Sequence, residues 1–347
     1  MALVVLLPIP LVITANAAVG RSWSGHAIGI LAGVTAGITF LFGALDLAAA
    51  SSAAASDAGN HNSTAVDVGT MVTAVVAATL ASKPVRARLS RFLPIDPDSP
   101  VHALALVLAV ILFGTQLASI LFIDLAAADQ KLTPVTVTDL IVQELPFLAL
   151  AAAGVGLYIR RDARAAARRL GLVGPAWWQV AMALAAAGVF VAFGQAMDWL
   201  SHLWTPGVAG QVDRTTQHLF GGLNNPVGIM ALALAPGICE EVLFRGALQP
   251  RLGLLVTALL FTSIHTQYGL SFDTLSVFVI AIGLGLIRRY ANTTASSICH
   301  ITYNLVVGIG LGGALLGVGV VFEAALLAVT GYALWSHYRR HALPVNN

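Results

Sequence analysis

The chain has 347 residues, of which 58% are hydrophobic and 10% charged, with a net charge of +2 and a mean hydropathy of +0.85. A soluble domain carries roughly 25% charged residues, so this composition excludes an ordinary soluble domain and indicates a polytopic membrane protein. The small net charge argues against a nucleic-acid partner. The two cysteines, Cys239 and Cys299, lie in apolar runs and exclude a disulfide framework.

Apolar stretches recur along the chain, and a membrane-spanning helix needs roughly 20 such residues. They predict an all-α transmembrane bundle of about eleven spans. The predicted spans begin near Ala2, His26, Asp67, Val101, Thr138, Trp177, Pro226, Leu252, Phe272, Thr294 and Leu311. A Gly-rich turn at 308–313 joins the last two, and residues 201–225 are predicted to form an external loop.

Basic residues cluster between alternate spans. The clusters are Lys83 to Arg91, Arg160 to Arg169, Arg288 with Arg289, and Arg339 with Arg340. Alternating the spans puts all of these on one side, and the positive-inside rule makes that side the cytoplasm. We therefore expect a multi-pass plasma-membrane protein with a cytoplasmic C-terminus, whose basic stretch 160–169 contacts the anionic lipids of the bilayer.

Two adjacent carboxylates end the apolar run 226–235 of the seventh span. Ionisable side chains at membrane depth are rare and usually face a cavity or a partner. Glu241 and Arg245 are four residues apart and share a helix face, which predicts an ion pair. Glu240 points about 100° away from Glu241 on a helix, so it lacks this built-in partner and is left free for acid–base chemistry.

Three further polar or helix-breaking features lie in the same part of the chain. Pro236 removes a helical hydrogen bond and frees the carbonyl of Leu232; such breaks are tolerated where they line a cavity. His265 ends the apolar run 254–264. His300 and Asn304 are four residues apart on one helix face, which indicates either a site or an interhelical hydrogen-bond lock.

Helical rise tests whether these side chains share one depth. If the turn between spans seven and eight centres on Pro250, Glu240 lies roughly 15 Å and His265 roughly 22 Å from it. His300 lies roughly 10–15 Å from the basic edge that ends span nine. With tilting and kinking, the polar groups are predicted to converge in the inner half of the bilayer.

A carboxylate near two imidazoles suggests an activated water, for which two versions stay open. In one, Glu240, His265 and His300 bind a divalent metal such as zinc, and another glutamate is the base. In the other, Glu240 deprotonates a water held with His265, while His300 and Asn304 stabilise the oxyanion. The chain lacks the HExxH spacing, so the sequence does not require zinc or any other cofactor.

Three motifs follow in order on successive apolar segments: Glu240-Glu241-x-x-x-Arg245, Phe261-x-x-x-His265 and His300-x-x-x-Asn304. Together they resemble the CAAX protease and bacteriocin-processing family, whose best-known members are the type II CAAX prenyl endopeptidases. The resemblance covers roughly residues 177–311. Any one motif is weak, whereas three in this order are much more specific.

The resemblance implies an intramembrane endopeptidase of the glutamate type, acting on a membrane-associated protein or peptide. The predicted catalytic set is Glu240, Glu241, His265, His300 and Asn304, with Arg245 in a structural ion pair. CAAX specificity does not carry over, because many bacterial members have no prenylated substrate. The protease-like domain is predicted at 177–334, after accessory spans at 1–135 and a linking span and basic loop at 136–176, and before a cytoplasmic tail at 335–347.

Two other functions use the same residues. A transporter or channel would employ the buried acids and histidines as a proton or ion relay, although the paired inverted halves common in transporters are not found. A non-catalytic membrane scaffold or immunity protein would need no reactive carboxylate at all.

Overall fold

The computed structural model describes residues 6–53, 61–310 and 314–342, which form an all-α bundle without strands, as predicted. The helices of the first half are α1 (Ile9–Ala18), α2 (Ser24–Ala53), α3 (His61–Thr79), α4 (Lys83–Leu89), α5 (Pro100–Phe122), α6 (Leu125–Asp129), α7 (Val137–Val155) and α8 (Ala163–Leu170). Those of the second half are α9 (Trp177–Trp204), α10 (Pro206–Phe220), α11 (Pro226–Glu240), a π-helix (Glu241–Leu248), α12 (Gln249–Ser263), α13 (Phe272–Tyr290), α14 (Thr293–Ile309) and α15 (Ala314–Ala342).

Within the described residues, six helices are long and apolar enough to cross a membrane, or seven if the bent α3–α4 pair is one span. The protein is thus an integral membrane protein, but the predicted count of eleven is not confirmed. The helix Ile9–Ala18 is short. Helix α13 is apolar at its centre but carries Asp273, Arg288 and Arg289 at its ends, and the 17-residue α14 is polar over much of its first half. The start of the first predicted span, part of the Gly-rich turn and the end of the tail lie outside the described residues.

The bundle packs around α11 and the π-helix that continues it. Helix α11 lies against α7 on one side and α14 on the other, and α9 covers α13 and α14. The α9–α13–α14 seam buries small residues, among them Ala183, Ala187 and Ala295. Small side chains let membrane helices approach closely, and this approach sets the distance between the polar residues of the central helices.

The chain reverses at Gly253, inside α12. The Phe244 and Phe261 rings lie 5.3 Å apart, whereas seventeen residues of continuous helix would separate them by about 25 Å. Gly253 has φ 78° and ψ 172°, a conformation essentially restricted to glycine. The predicted turn therefore exists, but three residues after Pro250, and this puts Glu240 and His265 both roughly 18–20 Å from it.

We expect Gly253→Ala to lower the free energy of unfolding by about 1–3 kcal/mol, because the added Cβ strains the backbone at a positive φ. The thermal unfolding midpoint in detergent measures this. Gly33→Ala is the matched control, since Gly33 lies within α2 and an added Cβ there would meet nothing within 4 Å. Equal midpoints for the two variants would contradict the expectation.

The predicted loop at 201–225 is mostly helix, so the prediction of a loop is wrong. Its external side stays a prediction. Helix α10 buries Ala209, Val212, Thr215 and Leu219, which recur every three or four residues. That period is typical of an amphipathic helix. Leu219 also accepts a hydrogen bond from the backbone N–H of Val135 at 2.8 Å, which ties α10 to the segment just before α7.

Basic residues from separate segments meet at the other end of the bundle. Arg169 lies within electrostatic reach of Arg161, Arg251 and Arg288, and burial, with these neighbouring charges, lowers the pKa of Arg169 to about 10. The Arg169 guanidinium also donates to the carbonyl of Gly246 at 3.1 Å. Two of the four predicted basic clusters, 160–169 and 288–289, thus meet at one end, as the positive-inside prediction expects. The side of the membrane on which they lie is a prediction.

Candidate active site

The local sequence builds a helix that is broken near its end. Asn225 caps α11 by accepting from the backbone N–H of Gly228, and Pro226 occupies the first turn, where a proline loses no helical hydrogen bond. Pro236 lies inside the helix, which widens to a π-helix from Glu241 onward. Single-turn π-helical segments are frequent at functional sites.

Glu241 is a fully buried carboxylate with three partners. Arg245 Nη1 lies 3.2 Å from its Oε1, which is the pairing expected from the four-residue spacing. His300 Nδ1 lies 3.1 Å from the same oxygen, and the Ser296 hydroxyl donates to the other oxygen. A buried charge is tolerated only when it is paired and hydrogen-bonded, and Glu241 meets that requirement.

Arg245 joins the π-helix to two further helices. Its Nη2 donates to the carbonyl of Ala281 in α13 at 3.3 Å, and its guanidinium carbon lies 4.1 Å from the centre of the Phe261 ring in α12. A cation over a desolvated aromatic face gains about 2 kcal/mol. Arg245 therefore holds the π-helix, α12 and α13 together, and its contacts are with the protein itself.

Glu240 is buried like Glu241 but lacks comparable hydrogen-bond and ion-pair partners. It is 5% exposed, yet its Oε2 has no hydrogen-bond partner among the described residues. The Glu241 and Arg245 charges both act on it electrostatically, but the ion-pair contact of Arg245 goes to Glu241. A carboxylate oxygen left unpaired inside a helical bundle is available to a ligand or a water.

His265 follows α12 directly and is held in one orientation. Its Nδ1 lies 2.9 Å from the carbonyl oxygen of Phe261, and its ring packs on Phe261 at 4.8 Å and stacks on Tyr268 at 6.3 Å. A carbonyl only accepts hydrogen bonds, so Nδ1 is the donor. In the neutral ring Nε2 then carries the lone pair, which can accept a hydrogen bond from water.

His300 and Asn304 lie one turn apart on α14 and have different contacts. Glu241 fixes the His300 ring through Nδ1 and leaves Nε2 as the nitrogen that can face a substrate. Asn304 Nδ2 donates to the carbonyl of Leu232 at 3.1 Å, which is the carbonyl that Pro236 frees. The predicted interhelical lock is therefore present, and one amide proton of Asn304 is engaged in it.

The motif residues of the three segments meet around Phe261. The ring of Phe261 contacts Arg245 and His265 and lies 6.0 Å from the His300 ring. Among the described residues no hydrogen bond joins Glu240 to His265. Glu241 belongs to the predicted catalytic set, but its three partners favour a supporting role.

The predicted metal ligands are not arranged for a shared ion. In the described part of the chain, the only trio of His, Cys, Asp or Glu side chains with ligand atoms within 4.8 Å of one another is the exposed group Asp198, His202 and Asp213. Glu240, His265 and His300 do not form such a trio, and His300 Nδ1 is engaged by Glu241. The residues therefore fit the metal-free version better.

Two buried polar residues near the motifs were missed from the sequence. Ser296 lies four residues before His300 on the same face of α14, so the spacing that linked His300 to Asn304 already pointed to it. Glu144 is a buried acid inside α7, and an acid within a predicted span is itself a sign of function.

Residues 222–306 match the family described as type II CAAX prenyl endopeptidase Rce1-like. The match includes all three motifs, confirms the resemblance predicted from them and indicates a membrane protease; it is narrower than the predicted extent of 177–311. No curated protein and no solved structure matched the chain.

Proposed function

We propose that this protein is an intramembrane endopeptidase that hydrolyses a peptide bond in a membrane-associated protein or peptide, with Glu240 as the general base. The observation that carries the proposal is the contrast between two adjacent buried carboxylates. Glu241 is satisfied by three partners, whereas Glu240 Oε2 has none among the described residues. The Rce1-like match supports the membrane-protease part of the proposal.

In the proposed reaction Glu240 takes a proton from a water that is also held by His265 Nε2. The water oxygen forms a bond to the substrate carbonyl carbon, and the carbonyl electron pair moves onto oxygen. His300 and the free amide proton of Asn304 donate to this oxyanion. Because His300 Nδ1 already donates to Glu241, donation from its Nε2 requires the imidazolium form. Preorganised donors of this kind typically contribute about 10²–10³-fold each. When the oxyanion collapses, the C–N bond breaks, its electron pair stays on nitrogen, and the nitrogen takes the proton from Glu240.

The proposed orientation in the membrane rests on the cluster of basic residues at one end of the bundle. With that end in the cytoplasm, the proposed orientation has a cytoplasmic C-terminus, and the proposed location is the plasma membrane. The first half of the chain lies outside the matched segment and serves as an accessory bundle.

The test is cleavage of a membrane-anchored fluorogenic reporter peptide by the purified protein in proteoliposomes, with products identified by mass spectrometry. Cleavage by the wild type and none by Glu240→Ala is the expected result. Proton flux across the same vesicles is measured in parallel. Flux without cleavage would favour a transporter, and equal cleavage by both proteins would refute Glu240 as the base.

A further inference from the structure

A second buried carboxylate without a partner lies on the helix that packs against Glu240. Glu144, in α7, is 8% exposed. Its Oε2, like that of Glu240, has no hydrogen-bond partner in residues 6–53, 61–310 and 314–342. No ion pair of Glu144 is found within the same ranges. Burying an unpaired polar group is costly, so two of them on adjacent helices call for a physical account.

The packing of α7 against α11 places Glu144 and Glu240 at a similar height along the helix axes. Helix α7 and the α11–π-helix segment run in the same direction, because both begin at the α10 end and finish at the basic end. The Phe147 and Phe244 rings meet at 6.2 Å. Glu144 precedes Phe147 by three residues and Glu240 precedes Phe244 by four, so each acid lies one turn before this contact.

Glu144 is among the charged and titratable groups that face Glu240. Those that act on it electrostatically, or on which it acts, come from α7, from its own helix and from the turn after α12; they are Glu144, Glu241, Arg245, Cys239 and Tyr268. Glu241 and Arg245 are paired with each other. Glu144 is therefore the acidic neighbour of Glu240 for which the described residues supply no ion-pair partner.

Two adjacent carboxylates in a water-poor interior do not both ionise, because like charges there repel strongly. One of them keeps a proton, and a protonated carboxyl is a hydrogen-bond donor. We propose that Glu144 is a positioning residue that holds this proton and donates it as a hydrogen bond to Glu240, which keeps Glu240 ionised and aimed at the water. This inference rests on the proposed function; Glu144 forms no bond to the substrate, and its proton stays on Glu144 during the reaction.

The activity test compares Glu144→Gln with Glu144→Leu. Glutamine keeps an N–H donor toward Glu240, and kcat and its pH profile are expected to stay within about threefold of wild type. Leucine removes the donor, so the ionised form of Glu240 is less stable and persists only at higher pH. We expect kcat at neutral pH to fall at least about tenfold and the acid limb of the profile to move up by about one pH unit, with KM little changed.

Glu323→Gln and Glu323→Leu are the matched controls. Glu323 also carries a buried oxygen without a partner among the described residues, but it lies on α15 against Gly188 of α9, away from Glu240. Neither control is expected to change kcat or the pH profile. Two results would overturn the positioning role: an acid limb of the kcat–pH profile that does not shift in Glu144→Leu, or an equal loss of kcat in Glu144→Gln and Glu144→Leu at every pH. Either result would leave the proposed function intact.

Infrared spectroscopy tests the shared proton without any turnover. The wild type at neutral pH is expected to show a carboxylic-acid C=O band that Glu144→Gln loses and that remains in Glu323→Gln. If the band is insensitive to Glu144, the inference is wrong even for an active enzyme. If the band behaves as expected and the wild type cleaves no peptide, the proton pair stands and the proposed function fails.

Discussion

Glu240→Gln is expected to lower kcat/KM for the reporter peptide by about 10³-fold or more, because a general base typically contributes 10²–10⁴-fold. Glutamine preserves the size of the side chain but cannot take a proton from water. Glu240 Oε2 has no partner among the described residues, and glutamine keeps a side-chain oxygen that can accept the hydrogen bond proposed from Glu144. The unfolding midpoint is therefore expected to stay within experimental error of wild type.

Glu241→Gln is the comparison for Glu240→Gln, because it changes the adjacent buried carboxylate in the same way. It removes the charge that Arg245 and His300 share, so it is expected to lower the unfolding midpoint. Glu323→Gln supplies the neutral reference for a glutamate at membrane depth. Steady-state kinetics and thermal unfolding of the purified variants measure both properties, and a Glu240→Gln protein with wild-type kcat/KM would refute the assignment.

Arg245→Ala is expected to lower the free energy of unfolding by about 3–5 kcal/mol, since breaking a buried ion pair leaves an uncompensated charge. Arg245 is 1% exposed and Glu241 is fully buried. The substitution also removes the donor to Ala281 and the cation over the Phe261 ring. Expression level and thermal unfolding report the loss.

A double replacement separates the charge from the packing. Replacing the Glu241–Arg245 pair by Leu and Met fills a similar volume without leaving a lone charge, and buried pairs replaced in this way often keep or gain stability. We expect the double variant to be more stable than Arg245→Ala, although inactive. Arg164→Ala, at an exposed position of α8, controls for the loss of an arginine alone. An Arg245→Ala protein as stable as this control would refute the structural role.

The contacts predicted within single helices agree with the structure because helical geometry fixes them. The four-residue spacing predicted the contact between Glu241 and Arg245, and the position of Pro236 predicted the free carbonyl of Leu232. The partner of that carbonyl could not be predicted. Asn304 reaches it because Gly237 lets α14 approach: a Cβ on Gly237 would lie 3.0 Å from the backbone nitrogen of Ile301.

The position of the turn between α11 and His265 decides the relative depths of Glu240 and His265. With the reversal centred on Pro250, Glu240 and His265 differed in depth by roughly 7 Å. The left-handed φ of Gly253 moves the reversal three residues along and brings both to nearly the same level. Glycines are frequent in this chain, so the sequence alone did not single out Gly253 as the turn residue.

The sequence by itself determined the membrane class, the order of the three motifs, the division between a paired Glu241 and an unpaired Glu240, and the resemblance that the Rce1-like match confirms. These follow from composition and from the fixed rise and rotation of a helix. Only the tertiary structure placed Ser296 on Glu241 and Glu144 beside Glu240. Which faces of two helices meet, and at what level, depends on the packing of many apolar side chains, and no spacing within one helix encodes it.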